Sequence, residues 1–204
     1  MSVSCQPKVE TYTIETTLGK IKIKLYDKTP FHKANFEKLV ETKFYDNVLF
    51  HRIISGFMIQ TGNDGTKTAK AGEPSMKEGT IDYTVPAEFV PEYFHKKGAL
   101  AAARTADQVN PEKRSSGSQF YIVQGKKYTD VELDNIQRQA GIKLTDAQRN
   151  IYKTVGGTPF LDQNYTVFGE VVEGLDIVDK IAAVQTVPGD WPKTDIRIVR
   201  IVKN

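Results

Sequence analysis

Between Phe50 and Gly62 the chain reads Phe-His-Arg-Ile-Ile-Ser-Gly-Phe-Met-Ile-Gln-Thr-Gly, an apolar run into which one arginine and one glutamine are set. A charge taken out of water without a partner is strongly destabilising, so any fold that buries this run must pair Arg52 or aim it at an opening. Ser55-Gly56 breaks the run into two short strands, Val48 to Ile54 and Phe57 to Gln60. Alternate side chains of a strand share a face. Arg52 and Ile54 therefore point one way and His51 and Ile53 the other, while Met58 and Gln60 share a face past the turn. Two such strands bring Arg52, Met58 and Gln60 to one groove. The plainer reading of the same residues is an arginine in a core ion pair, or one whose head reaches water at a barrel rim.

A second set of segments narrows the choice. Gly98-Ala99-Leu100-Ala101-Ala102-Ala103-Arg104 leads through a polar loop to Ser116-Gly117-Ser118-Gln119-Phe120-Tyr121-Ile122-Val123, and Phe160-Leu161-Asp162 and Val167-Phe168-Gly169 follow. In this order, with the Phe50–Gly62 run, these motifs resemble the cyclophilins, the peptidyl-prolyl cis-trans isomerases. The resemblance runs from Thr11 to Lys203 and is interrupted by one long insertion. It implies a mainly β fold: a closed antiparallel eight-stranded β-barrel capped by two α-helices, here with an inserted αα-hairpin. It also implies catalysis of rotation about Xaa-Pro bonds in client proteins, in support of folding. A binding module or holdase for proline-containing segments is the alternative.

The resemblance assigns residues as well. Arg52 and Gln60 are the catalytic pair, with Arg52 donating to the proline nitrogen of the twisted amide. Phe57, Met58, Tyr121 and Leu161 form the proline pocket with Phe160 at its rim, and Gln60, Gln119 and the backbone N–H of Arg104 hold substrate carbonyls. Ala101 to Ala103 are small enough for an extended peptide to lie close, and Tyr165 completes the wall. Three departures stand out. Tyr121 occupies a position where many members have Phe, so its hydroxyl needs a partner. Phe160 stands where drug-sensitive members have Trp, and the lost indole N–H implies weak or no binding of cyclosporin-type macrocycles. Tyr165 stands where many have His.

The rest of the chain mainly excludes. At 204 residues, 39% hydrophobic, it suits one core, read as a tail over 1–10 and a single domain over 11–204, acting as a monomer. Its 28 basic and 25 acidic residues are interspersed, unlike the concentrated stripe of a nucleic-acid face. Cys5 is the only cysteine, which removes an internal disulfide and a Cys-based zinc site. His32, His51 and His95 are not spaced as ligands on one element, so no metal or cofactor is expected. No apolar run reaches the roughly 18 residues of a membrane span. The first residues lack an apolar signal core, and the expected address is cytoplasmic; a periplasmic or lipid-anchored protein, held through Cys5 after removal of a signal, is the alternative. Gly62 to Thr68 lacks the spacing of a phosphate loop.

The element pattern is legible in outline. Thr11–Thr16 and Lys20–Leu25 alternate around a Leu18-Gly19 turn as a hairpin. Thr29-Pro30 opens a helix with Thr29 as its cap and Phe36, Leu39 and Val40 as its stripe. A second helix carries Leu175, Val178, Ile181 and Ala182, and Asp195–Val202 closes the fold with a bulge where the phase slips at Ile198-Val199. Thr61 to Pro86 reads as a long surface loop. Within the 126–157 insertion, Thr129-Asp130-Val131-Glu132 and Thr145-Asp146-Ala147-Gln148 are two capping boxes, each followed by a narrow apolar stripe, with Gly141 and Gly156-Gly157 as stops. Two helices are predicted, flanking the groove or packed on the side of the barrel.

Overall fold

A computed structural model describes residues 10–70, 72–74 and 77–204. The expectations for Cys5 and for the tail before Glu10 lie outside the described residues. In chain order the elements are β1 (Thr11–Thr16), β2 (Gly19–Leu25), α1 (Pro30–Glu41), β3 (Arg52–Ile54), β4 (Met58–Thr61), β5 (Thr84–Val85), β6 (Ala99–Ala102), β7 (Ser115–Ser116), β8 (Phe120–Val123), α2 (Asp130–Ala140), α3 (Asp146–Thr154), β9 (Val167–Glu173), α4 (Leu175–Ala182), β10 (Thr186–Val187), β11 (Trp191–Pro192) and β12 (Ile198–Lys203).

Eight strands form one antiparallel sheet in the order β12-β1-β2-β9-β6-β8-β4-β3. The expected closed barrel is corrected here: the sheet is curled but open, and its edges β3 and β12 share no ladder. The cause lies in residues 48–50, which were expected to begin a strand over Val48–Ile54. Only Arg52–Ile54 is strand. The preceding backbone reaches the other edge through scattered bonds, Phe50 N to Ile196 O and Asn47 N to Ile198 O, with one isolated bridge between Leu49 and Arg197. The bulge expected near Ile198-Val199 is present: Thr16 pairs with Ile198 but Glu15 with Arg200, leaving Val199 as the extra residue.

Alternation along the central strands sends side chains to two places. Ile53, Ile59, Leu100, Ala102, Phe120 and Ile122 enter the main core with Phe36 of α1 and Val178 and Ile181 of α4. Their neighbours Met58, Ala101, Ala103, Tyr121 and Val123 form a second cluster on the opposite face, and the site lies there.

Helix α1 begins at Pro30 as expected, but Thr29 does not cap it with its side chain. Its hydroxyl donates to Tyr26 O instead. The free amides of Phe31 and His32 donate to the Glu88 carboxylate at 3.1 and 3.0 Å, a cap delivered from a distant segment to the positive end of the helix. Glu88 also lies 2.6 Å from His32 Nδ1, and His32 Nε2 lies 2.8 Å from Ser115 Oγ. This is the order of a nucleophile, base and acid. Ser115 is only 1% exposed, so no substrate reaches it and the three residues fasten α1 to β7.

The 61–86 segment is less superficial than expected. Asn63 and Thr66 are buried, and the Arg197 guanidinium donates to the carbonyl oxygens of Asn47, Thr66, Lys67 and Ala69. Both predicted capping boxes are formed, and Gly141 ends α2 in the left-handed conformation with φ 66°. The helices enclose a small core of Tyr128, Leu133, Leu144 and Tyr152, with Phe94 packed against it, and α2 touches the 3-10 turn Pro159–Leu161. The neck of this unit requires glycine: a Cβ on Gly125, at φ 67°, would lie 2.4 Å from Gly157 Cα.

One consequence is a pH dependence of stability. His51 is buried, and desolvation pushes its imidazole down to about 4 from an ordinary value of about 6.5. The unfolded chain therefore takes up the proton first. Stability from this group is whole above about pH 6.5 and is lost as pH falls towards about 4; His32, lowered mainly by burial as well, acts in the same direction. Urea unfolding of wild type should weaken between pH 7 and pH 4.5 more steeply than that of His51→Gln, by up to about 1.4 kcal/mol per pH unit. Equal slopes would contradict the assignment.

Candidate active site

The second cluster opens into a cavity of about 240 Å³ lined by Arg52, Phe57, Met58, Gln60, Ala103, Arg104, Tyr121, Leu161 and Tyr165. Nine of the residues singled out in the sequence thus meet in one place. Strand register explains the meeting. Arg52 pairs with Gln60 and Ile54 with Met58 across β3 and β4, and Gln60 pairs with Tyr121 across β4 and β8. Tyr121 in turn pairs with Ala101 of β6. Two remaining candidates stand beside the cavity. Phe160 is 42% exposed and its ring lies 5.6 Å from that of Phe57, which makes it the rim. Gln119 accepts from Gln60 Nε2 at 3.1 Å and lines an adjoining depression with Gln60, Ala103 and Arg104.

Arg52 is neither buried nor neutralised by a core partner. Its side chain is 43% exposed, and Nε lies 3.3 Å from Asp190 Oδ2. Asp190 sits between β10 and β11 with φ 62° and receives the Ile53 N–H on its carbonyl, so one residue holds both the backbone and the side chain of β3. Among the described residues, the terminal nitrogens of Arg52 have no hydrogen-bond partner, and these are the groups free to face a bound molecule.

Arg104 was assigned a backbone role from the sequence, yet its side chain builds part of the wall. The guanidinium lies 4.4 Å from the Tyr165 ring centroid, donates through Nε to Asn164 O and meets the Asp107 carboxylate. With its charge held by these partners and the ring, it shapes the site.

The Tyr121 hydroxyl has the partner that it needed. It lies 3.0 Å from His95 Nε2; His95 Nδ1 is 2.8 Å from Asp162 Oδ1, and Asp162 Oδ2 accepts from Tyr152 Oη at 2.6 Å. All four residues are buried. Burial pushes the Tyr121 phenol well up, and burial with the nearby Asp162 charge raises Tyr152, so both keep their protons. The sequence gives His95, Asp162, Tyr152 and Asp190 no role in the site, because nothing in their spacing signals a contact made by distant segments. The unmatched hydroxyl of Tyr121 was the one available clue.

Comparison with known proteins agrees with this geometry. The family model described as cyclophilin type peptidyl-prolyl cis-trans isomerase/CLD matches residues 11–203. A Staphylococcus saprophyticus protein, provisionally named peptidyl-prolyl cis-trans isomerase, is 36% identical over 91% of this chain and 87% of its own length. A Streptococcus pyogenes protein, provisionally named as a bifunctional phosphatase/peptidyl-prolyl cis-trans isomerase, is 38% identical over 96% of this chain, which spans only 38% of that relative's length. In fold, the chain resembles a crystal structure of a Cryptosporidium parvum cyclophilin type peptidyl-prolyl cis-trans isomerase, with a TM-score of 0.68 at 24% identity over 96% of this chain and 97% of that one. The motifs, the curled eight-stranded sheet and the match across residues 11–203 place this chain in the cyclophilin-type peptidyl-prolyl cis-trans isomerase family.

Proposed function

We propose that this protein catalyses cis-trans rotation about Xaa-Pro bonds in client polypeptides, without a covalent intermediate, and thereby assists their folding. The observation that carries the reading is an arginine whose terminal N–H groups have no partner among the described residues, at the edge of an apolar cavity floored by Tyr121 and walled by Phe57, Met58 and Leu161. At about 240 Å³ the cavity is smaller than the roughly 300 to 1,000 Å³ of ordinary ligand pockets, which suits one proline ring with the rest of the peptide lying outside.

The chemistry follows from the bond. Amide resonance sets a rotation barrier of about 18 to 20 kcal/mol. When the bond twists, the nitrogen lone pair is no longer shared with the carbonyl and becomes a hydrogen-bond acceptor. A donor aimed at it binds the twisted state better than either planar one, and that difference is catalysis. Arg52 supplies the donor; its terminal groups are permanently protonated, and Asp190 on Nε keeps the fork oriented. Gln60, steadied by Gln119, holds the substrate carbonyl, and the apolar walls clamp the ring so that the acyl side turns. Uncatalysed exchange takes about 10 to 100 s. Turnover in about 10 ms requires a lowering of about 4 to 5.5 kcal/mol. One charged hydrogen bond, at about 1.5 to 3 kcal/mol, supplies roughly half, leaving the remainder to positioning and exclusion of water.

The direct test is the exchange rate of a short Xaa-Pro peptide followed by NMR. Wild type should accelerate exchange, and Arg52→Ala should lower kcat/KM by roughly 10²-fold or more. The variant should stay folded, since Asp190 is left 42% exposed. Binding of the peptide by wild type with no acceleration would make the site a recognition module and sink the reading.

The Phe160 rim yields a separate expectation. Without an indole N–H beside Phe57, cyclosporin-type macrocycles should bind weakly. A nanomolar Kd in isothermal titration would contradict this.

A further inference from the structure

The polar line from Tyr121 to Tyr152 joins the floor of the cavity to a helix that does not line it. Tyr152 belongs to α3 and is fully buried in the small core of the helical unit. Its hydroxyl donates to Asp162, the residue that follows the cavity wall residue Leu161. Asp162 Oδ1 accepts both the backbone N–H of His95 and, at 2.8 Å, its Nδ1. With Nδ1–H directed at the carboxylate, Nε2 is left to accept from the Tyr121 hydroxyl. Every link then has one donor and one acceptor; moving the imidazole proton to Nε2 would instead set the Nδ1 lone pair against the Asp162 carboxylate, two acceptors with no proton between them. The backbone repeats the connection: Thr158 N donates to His95 O, and the rings of His95 and Tyr121 lie nearly parallel, 6.0 Å apart at 14°.

A floor that needed only apolar contact would be served by phenylalanine. A phenol whose hydroxyl is bonded can neither withdraw nor swing to another χ1 rotamer without breaking a buried hydrogen bond, and buried networks of this kind fix one arrangement of the side chains in them. We propose that Tyr152, although outside the groove, is a positioning residue for the proline pocket: through Asp162 and His95 it sets the place of the Tyr121 ring, and through the turn that carries Asp162 it sets Leu161. The α2–α3 unit is thereby a brace for the pocket. The inference deepens the isomerase reading and rests on it for its kinetic consequence.

The test is a double-mutant cycle between two hydroxyls that do not touch, Tyr152→Phe and Tyr121→Phe, with both rings retained. Peptide exchange and peptide Kd are measured by NMR for wild type, the two single variants and the double variant. Tyr152→Phe should lower kcat/KM by roughly 5 to 10-fold, chiefly through a higher KM, because the pocket is loosened while the Arg52 donor is untouched. In the Tyr121→Phe background the same substitution should change kcat/KM by less than about twofold, since the line is already cut. Equal losses in both backgrounds, or no loss in either, would overturn the proposal, because a merely structural tyrosine acts additively. If wild type does not accelerate exchange, the isomerase reading fails, and the cycle in peptide Kd still decides the coupling by the same criterion. Should Tyr152→Phe not fold, Asp162→Asn paired with Tyr121→Phe reads the coupling one link closer to the pocket.

Discussion

The two-residue period of β4, β6 and β8 is the constraint on which the rest depends. Successive residues of β6 and β8 are all buried, as are those of β4 except Gln60, but they enter different environments. Phe120 and Ile122 go to the main core, Tyr121 and Val123 to the opposite cluster; Leu100 and Ala102 separate in the same way from Ala101 and Ala103. A slip of one residue would exchange the two sets, placing phenylalanine in the groove and a tyrosine hydroxyl in the core. The pattern that stabilises the sheet is therefore also the pattern that assembles the site.

Buried polar groups then tie irregular segments to this frame. Glu88 closes the start of α1, Arg197 gathers the carbonyls of Thr66, Lys67 and Ala69, and His95 with Asp162 draws the 93–96 and 158–162 segments together. Each group is costly to bury alone, since an unsatisfied polar atom is penalised by roughly 1 to 3 kcal/mol and a charged one by more. Each tolerates burial because several partners converge on it. Arg52 differs. Among the described residues its one partner engages Nε and not the outer nitrogens, an arrangement that serves a ligand better than it serves stability, as exposed pairs contribute only about 0 to 1 kcal/mol.

Local signals were readable wherever the chemistry is local. Thr129 with Glu132 and Thr145 with Gln148 close their capping boxes within four residues, and the phase slip at Ile198-Val199 records a bulge in the strand that carries it. Thr29 shows the limit of such signals. It stands where a capping residue belongs, yet a carboxylate from residue 88 takes the task. The closure of the sheet was misjudged for a related reason: the apolar character of Val48 to Phe50 reflects burial, while the ladder that would make these residues a strand depends on where the far end of the chain lies.

By itself the sequence determined the alternation of the strands, the helices with the caps of α2 and α3, the family and the set of side chains that line the groove, because periodicity and motif order are properties of neighbours along the chain. Tertiary structure alone decided the open edge of the sheet, the role of the Arg104 side chain, the Asp190 partner of Arg52 and the line from Tyr121 to Tyr152. These are hydrogen bonds and ion pairs between segments far apart in sequence. Their geometry is set only when the folded backbone brings the segments within bonding distance.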